Sequence, residues 1–346
     1  MVRFRGIKTP VLRAFYDPKL SRNLIEFVRD ERIEVIHANI LNPRYVNPLI
    51  EVKRRVADVK LVVTAHSWTF LCPTSWKIKF PEMRECRAKS SIITCTGCMY
   101  AMSRRLGKPF IKLVKGLHQT NYLVKLLKNS DLVISPSKTF AERAREELGI
   151  KNIVHIPNPA NPAFLEKKPT PPREQASIFI GRLEFEKGAH LLPQIAREMN
   201  PIKLYVVGQG SLAKYINETR PSNLVFLGYV SPAEKDEMLE RASTLIVPSI
   251  WQDMYPTTII EAFAKARPVI AFSLGGPKEL IEASGGGVLI KPYNVELMAK
   301  RAVELNTDAL KCFRLGMNAR AYVENELNIN TYSQRLKDAL LEYLWK

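Results

Sequence analysis

Two carboxylates eight positions apart set the first chemical question. The stretch PSIWQDMYPTTIIEAFAKARPVIAF, residues 248–272, puts Asp253 in a loop and Glu261 in an amphipathic run, with Pro256 between them. Proline is tolerated in the first turn of a helix, so the spacing predicts a helix from Thr257 with Glu261 about a turn and a half inside it. Both acids then face one cleft, where Met254 and Tyr255 offer backbone N–H groups. Carboxylates so placed match the hydroxyls of a sugar. Taken alone, the pair reads equally as a helix-capping acid and a surface Glu. A second constellation is GRLEFEKGAHLL, residues 181–192. Gly181 lets backbone approach a ligand, Arg182 and Lys187 can bracket a diphosphate, and the helix expected over 188–199 adds the positive end of its dipole. Solvated surface cations beside a turn are the bland reading. A third loop, YVVGQGS at 205–211, carries Gly208 and Gly210 but lacks the third glycine of the dinucleotide fingerprint. His66 closes the run LVVTAH, where it faces a cleft or fills a structural role.

Elements of regular structure must position these residues. The first half holds apolar runs at 33–39, 59–66 and 130–137 between helical stretches at 20–30, 45–57, 109–129 and 138–148. Each run ends in small or polar residues, as buried parallel strands do when a functional loop follows. Residues 153–176 string together six prolines and read as a last strand and a linker. Beyond them, strands at 177–181, 204–207, 224–229, 244–248, 268–272 and 287–290 alternate with helices near 188–199, 211–219, 232–242, 257–266, 278–283 and 294–305. A final amphipathic helix covers 331–346. The pattern is α/β, doubly wound, with ligands expected at the carboxyl ends of the strands.

Charge divides unevenly. Residues 1–170 carry 31 Lys and Arg against 14 Asp and Glu, or +17, and residues 171–346 carry 21 against 20, or +1. A basic half suits nucleic acid, an anionic membrane surface or phosphorylated substrates. No recognised motif or aromatic-rich basic sheet supports nucleic acid, which is set aside. No apolar run approaches the about 18 residues of a membrane span, and MVRFRGIKTPVLRAF is not a secretory signal. The expected location is cytoplasmic. The alternation of Lys with apolar residues over 107–129 allows peripheral contact at the inner face of the membrane.

The three loops of the second half occur in a specific order. GRLEFEKG, VVGQG, LGYV, the 248–272 stretch and GGPKELI, spanning about 175–285, resemble the donor-binding domain of the GT-B retaining glycosyltransferases, family 4 (glycosyl transferases group 1). VHIPNPANPAF resembles the segment entering that domain, and VVTAHSWTFLCP its counterpart in the acceptor domain. The resemblance implies two Rossmann-like domains facing a cleft. They are an acceptor-side domain at 1–160, a linker at 161–176 and a donor domain at 177–330, with 331–346 packing back on the first. The family's first strand and Gly-rich loop would precede this chain's start, which implies a reduced N-terminal domain or a start codon chosen too late.

By the same resemblance, Arg182 and Lys187 hold the diphosphate of a UDP- or GDP-sugar, Gly181, Gly208 and Gly210 lie near the phosphates, and Tyr229 and Val230 lie near the base. Glu261 takes the place of the second acid of the family's Glu-x7-Glu motif and binds the ribose. Asp253 stands where the first acid contacts the transferred sugar, one methylene shorter than the family's Glu. His66 meets the donor sugar. The implied activity is a metal-independent hexosyltransferase that retains anomeric configuration, needs no catalytic cofactor, and uses a glycan, lipid-linked or phosphorylated acceptor. The alternative is a catalytically inactive nucleotide-sugar-binding protein. Cys72, Cys86, Cys95 and Cys98 fall within 27 residues. Their spacing leaves three states open: a structural zinc site, two disulfides, or free thiols.

Overall fold

A computed structural model describes residues 17–39, 42–107 and 109–345. The basic stretch MVRFRGIKTPVLRAF lies outside the described residues, as does Lys108 within the basic 107–129 segment. The chain divides into two compact units, one of Met1–Ile156 with Arg335–Lys346, the other of Pro157–Gln334.

In the first unit the described chain runs α1 (Pro18–Asp30), β1 (Val35–Ala38), α2 (Val46–Arg55), β2 (Lys60–Thr64), a small hairpin of β3 (Ile78–Lys79) and β4 (Arg84–Glu85), α3 (Ile92–Leu106), α4 (Phe110–Lys128), β5 (Leu132–Ser135), α5 (Lys138–Leu148) and β6 (Ile153–His155). Its parallel sheet has the order β1-β2-β5-β6. All four residues of β5 are buried, as are the last four of β2. Covered on both faces, such strands need continuous rather than alternating apolar sequence, which is why KLVVT and LVIS were legible.

The second unit adds β7 (Ala176–Ile180), α6 (Leu192–Glu198), β8 (Lys203–Val207), α7 (Ala213–Thr219), β9 (Leu224–Gly228), α8 (Pro232–Arg241), β10 (Thr244–Val247), α9 (Thr257–Ala264), β11 (Val269–Phe272), α10 (Gly275–Ser284), β12 (Gly287–Ile290), α11 (Val295–Thr307) and α12 (Ala309–Glu326). A last helix, α13 (Ile329–Leu344), leads into the C-terminal segment grouped with the first unit. The six-stranded parallel sheet has the order β12-β11-β10-β7-β8-β9. One side of it is filled by Ile259, Ile260 and Phe263 of α9 against Ile178, Leu245, Val247 and Ala271.

Three features depart from the sequence expectations. The helix expected over 188–199 is two 3-10 turns, Phe185–Lys187 and Ala189–Leu191, before α6 begins at Leu192. Gly188 takes φ +71° between the turns, which breaks a continuous helix. No α-helix N-terminus therefore directly follows Lys187. Second, α12 was not expected: Gly316 sits in its middle and weakens the helical pattern. A Cβ there would collide with the Ala266 carbonyl oxygen, so tight packing selects the glycine. Third, α3 was not expected within the cysteine-rich segment. Its Thr- and Gly-containing sequence is started by a capping box, with the Ser91 hydroxyl accepting from the Thr94 N–H at 3.1 Å.

Candidate functional site

From β7 the chain winds outward through β8 and β9. It then returns to the other side of β7 as β10 and continues to β11 and β12. That reversal separates the loops after β7 and β10 and leaves a crevice at their carboxyl ends, where ligands of doubly wound sheets bind. A cavity of about 260 Å³ occupies this place, lined by Gly181, Arg182, Lys187, Ser249, Asp253, Tyr255 and the start of α9 at Thr257 and Thr258.

Backbone contacts lock the two loops together. The Ile250 N–H donates to the Glu186 carbonyl at 3.0 Å, while the Gly276 N–H, at the start of α10, donates to the Asp253 carbonyl and ties the loop after β11 to the loop after β10. A Cβ on Gly188 would strike the Pro248 carbonyl oxygen, so only glycine permits this approach. The adjacent loop after β8 is held as closely. Gly208, with φ +142°, donates its N–H to the Gly228 carbonyl at 2.7 Å, and a Cβ would strike the Gly181 carbonyl. A Cβ on Gly210 would crowd the Leu183 backbone. These glycines bring backbone close to the crevice without themselves lining it.

Each cation in the cavity has an internal partner. Lys187 forms an ion pair with the buried Asp253 carboxylate and lies 5.1 Å over the Trp251 ring. Arg182 pairs with Glu186 at 3.0 Å, yet 60% of its side chain remains exposed to the crevice mouth and solvent. Together the groups offer two positive charges and one inward carboxylate on a single surface. That combination suits a ligand with both anionic oxygens and hydroxyls.

Glu261 sits on α9 one turn beyond Thr257 and Thr258, on the same helix face, and binds Lys235 of α8 at 2.6 Å. Met254 is buried and does not line the cavity, and the Tyr255 hydroxyl donates to the Asn158 carbonyl at 3.0 Å. Tyr229 and Val230 follow β9 at the sheet edge, Tyr229 71% exposed and Val230 packed partly on the core; neither lines the cavity. Sequence reasoning missed Glu186, Trp251 and Lys235. The first two lie inside the quoted loops, but nothing in type or spacing marked them as partners of Arg182 and Lys187.

His66 belongs to the first unit, just past the carboxyl end of β2. Its Nε2 is 3.1 Å from Asn39 Oδ1, while His37 of β1 has Nε2 2.7 Å from the Thr64 hydroxyl. Desolvation of the imidazole holds each pKa below its ordinary value, and for His37 the nearby His66 adds to the effect. Cys72, Cys86, Cys95 and Cys98 are free thiols, and among the described residues no three His, Cys, Asp or Glu side chains are arranged to hold a metal ion. Cys98 instead accepts from the Phe80 N–H at 3.3 Å, and burial pushes its thiol up to about 11, where a thiolate is disfavoured.

Comparison with known proteins adds independent findings. A profile for Glycosyltransferase Family 4 matches residues 2–164, and one for Glycosyl transferases group 1 matches residues 161–322. Among curated proteins, an uncharacterised glycosyltransferase of Methanocaldococcus jannaschii is 28% identical over 135 residues, 36% of this chain and 34% of its own. The Staphylococcus aureus poly(ribitol-phosphate) alpha-N-acetylglucosaminyltransferase is 28% identical over 187 residues, 50% of this chain and 36% of its own. The chain thus spans about a third of the length of these two relatives. Among solved structures, Anabaena HepE in complex with UDP superposes with a TM-score of 0.69 at 17% identity, covering 93% of this chain and 82% of that one. S. aureus TarM, in a complex with fondaparinux, alpha-GlcNAc-glycerol and UDP, gives 0.66 at 17% identity, covering 93% and 58%. At that identity the shared feature is the GT-B fold.

Proposed function

We propose, from the premise that the chain belongs to the family 4 and group 1 glycosyltransferases, that it transfers a sugar from a nucleoside diphosphate to an acceptor hydroxyl. One observation carries the reading: Arg182, Lys187 and Asp253 share one cavity at the point where the strand order reverses. Arg182 and Lys187 take the diphosphate, and Asp253 the hydroxyls of the sugar. Glu261 takes the ribose, and Gly208 and Gly210, by letting the loop after β8 pack against the Gly181 and Leu183 backbone, leave room for the phosphates. UDP in the HepE and TarM complexes favours a uridine diphosphate sugar as donor. The alpha-GlcNAc-glycerol in the TarM complex favours a glycan or other polyol hydroxyl as acceptor.

In the reaction the bond from the anomeric carbon to the phosphate oxygen breaks, and the acceptor oxygen bonds to that carbon on the face being vacated. The acceptor proton passes to the leaving phosphate oxygen, and anomeric configuration is retained. Negative charge grows on the diphosphate as it leaves. Arg182 and Lys187 offset it, the electrostatic part of the catalysis, and the reading calls on no metal ion for that task. Ligand-free, Arg182 and Lys187 are engaged by Glu186 and Asp253, so on binding the two cations exchange carboxylate partners for the phosphate oxygens of the donor.

Thermal stabilisation by UDP-, GDP- and ADP-sugars tests the donor assignment. The expected result is a rise in Tm with UDP-sugars that is lost in Glu261→Ala. Binding without release of sugar to any acceptor would leave a nucleotide-sugar-binding protein. No stabilisation by any of the three would remove the donor assignment.

A further inference from the structure

Residues 86–130 contain nine Lys and Arg and no Asp or Glu. This acid-free segment folds into α3 and α4, which pack on each other in the first unit, with the Tyr100 and Phe110 rings meeting edge to face at 6.2 Å. One side of the pair is core: Met99 and Met102 on α3, and Leu113, Leu117 and Leu123 on α4, are buried. The other side is not. Ile92 is 68% exposed, Ile93 89%, Tyr100 58% and Ile111 62%. On α3, Ile93, Tyr100 and Arg104 follow at steps of seven and four and share one stripe. Lys89, Arg104, Lys112 and Lys115 are exposed in the same segment.

We propose that this α3–α4 face docks on an anionic phospholipid bilayer, with Ile92, Ile93, Tyr100 and Ile111 entering the boundary between headgroups and acyl chains. The cations then meet lipid phosphates. Large apolar side chains standing in water beside exposed cations, on a segment that carries no acid, are the signature of an interfacial element, since each kind of group finds its complement in a charged membrane. A polyanion without an apolar layer, such as nucleic acid, would use the cations but leave the isoleucines in water. The surface differs from the α4 contact that the Lys-apolar alternation had suggested. All five leucines of α4 are buried, and much of the exposed apolar area comes from α3. Among the described residues no helix is long and apolar enough to cross a membrane, so the contact is peripheral. The proposal stands apart from the transfer reading, and its test involves no sugar nucleotide.

The full chain is floated with vesicles of phosphatidylcholine alone or with about a third phosphatidylglycerol. Binding at least about tenfold stronger to the anionic vesicles is expected, together with a blue shift in emission from a Tyr100→Trp reporter. The double variants Ile93→Ser/Ile111→Ser and Arg104→Ser/Lys112→Ser should each weaken that binding about tenfold while Tm is unchanged, since all four positions are exposed. Equal binding to both vesicle types, or full binding in either double variant, would overturn the proposal. So would tighter binding to a single-stranded oligonucleotide than to the anionic vesicles, which would assign the cations to nucleic acid.

Discussion

In the proposed function, Lys187 is the residue on which donor binding turns. Its ammonium lies between the Asp253 carboxylate and the Trp251 ring, so its charge is held in place at low entropic cost before any ligand arrives. The pairing gives Asp253 two roles with opposite consequences. Asp253→Asn removes a partner of the sugar hydroxyls but also frees Lys187. The account therefore predicts that this variant binds nucleotide sugar about tenfold more weakly, and free nucleoside diphosphate as well as or better than the native chain. A parallel loss for both ligands in calorimetric titrations would mean that Asp253 only braces the loop. At His37 and His66 the prediction concerns pH. Both folded-state pKa values lie below 6.5, so the unfolded chain binds more protons as pH falls through that value. Stability should therefore drop below about pH 6.5 and be independent of these groups above it. The difference in Tm between the native chain and His37→Gln should be constant above about pH 6.5 and shift in favour of the variant below it; a difference that does not change with pH would contradict this.

At the level of elements, the site depends on two loops after β7 and β10 that approach each other only because Gly188 has no side chain. Gly188→Ala places a Cβ against the Pro248 carbonyl and requires a left-handed backbone of a residue that resists it, at a cost of about 1–3 kcal/mol. A lowered denaturation midpoint with impaired nucleotide binding is expected. A variant as stable and as tight-binding as the native chain would show that the loops are not held as described. Much of this was legible in sequence, for identifiable reasons. β2, β5, β7, β8, β10 and β11 are buried strands with little room for polar residues, so their runs stood out. The start of α9 was legible because Pro256 cannot continue a strand pairing and suits a helix entry. Nothing in the spacing revealed that Gly188 would split the next helix into 3-10 turns, or that Gly316 lies inside α12 because Ala266 crowds it. Those outcomes depend on the neighbouring chain. The ion pairs Lys187–Asp253 and Lys235–Glu261, 66 and 26 residues apart, were hidden for the same reason.

Across the whole chain, charge and chemistry are divided between the halves. The nearly neutral second half, +1 over 171–346, carries the cavity proposed to take the donor, and the +17 of residues 1–170 includes the exposed α3–α4 face. Donor binding should thus depend on a few local cations rather than on the bulk charge of the molecule, and membrane contact on the reverse. The account's central claim is that the cavity between the β7 and β10 loops is a diphosphate site read by Lys187. Calorimetric titration of the full chain with UDP and with uridine, repeated on Lys187→Ala, tests it most directly. The account predicts that UDP binds about 10- to 100-fold more tightly than uridine to the native chain, and that this preference collapses in the variant. Equal affinity for UDP and uridine, or a preference that survives Lys187→Ala unchanged, would contradict it.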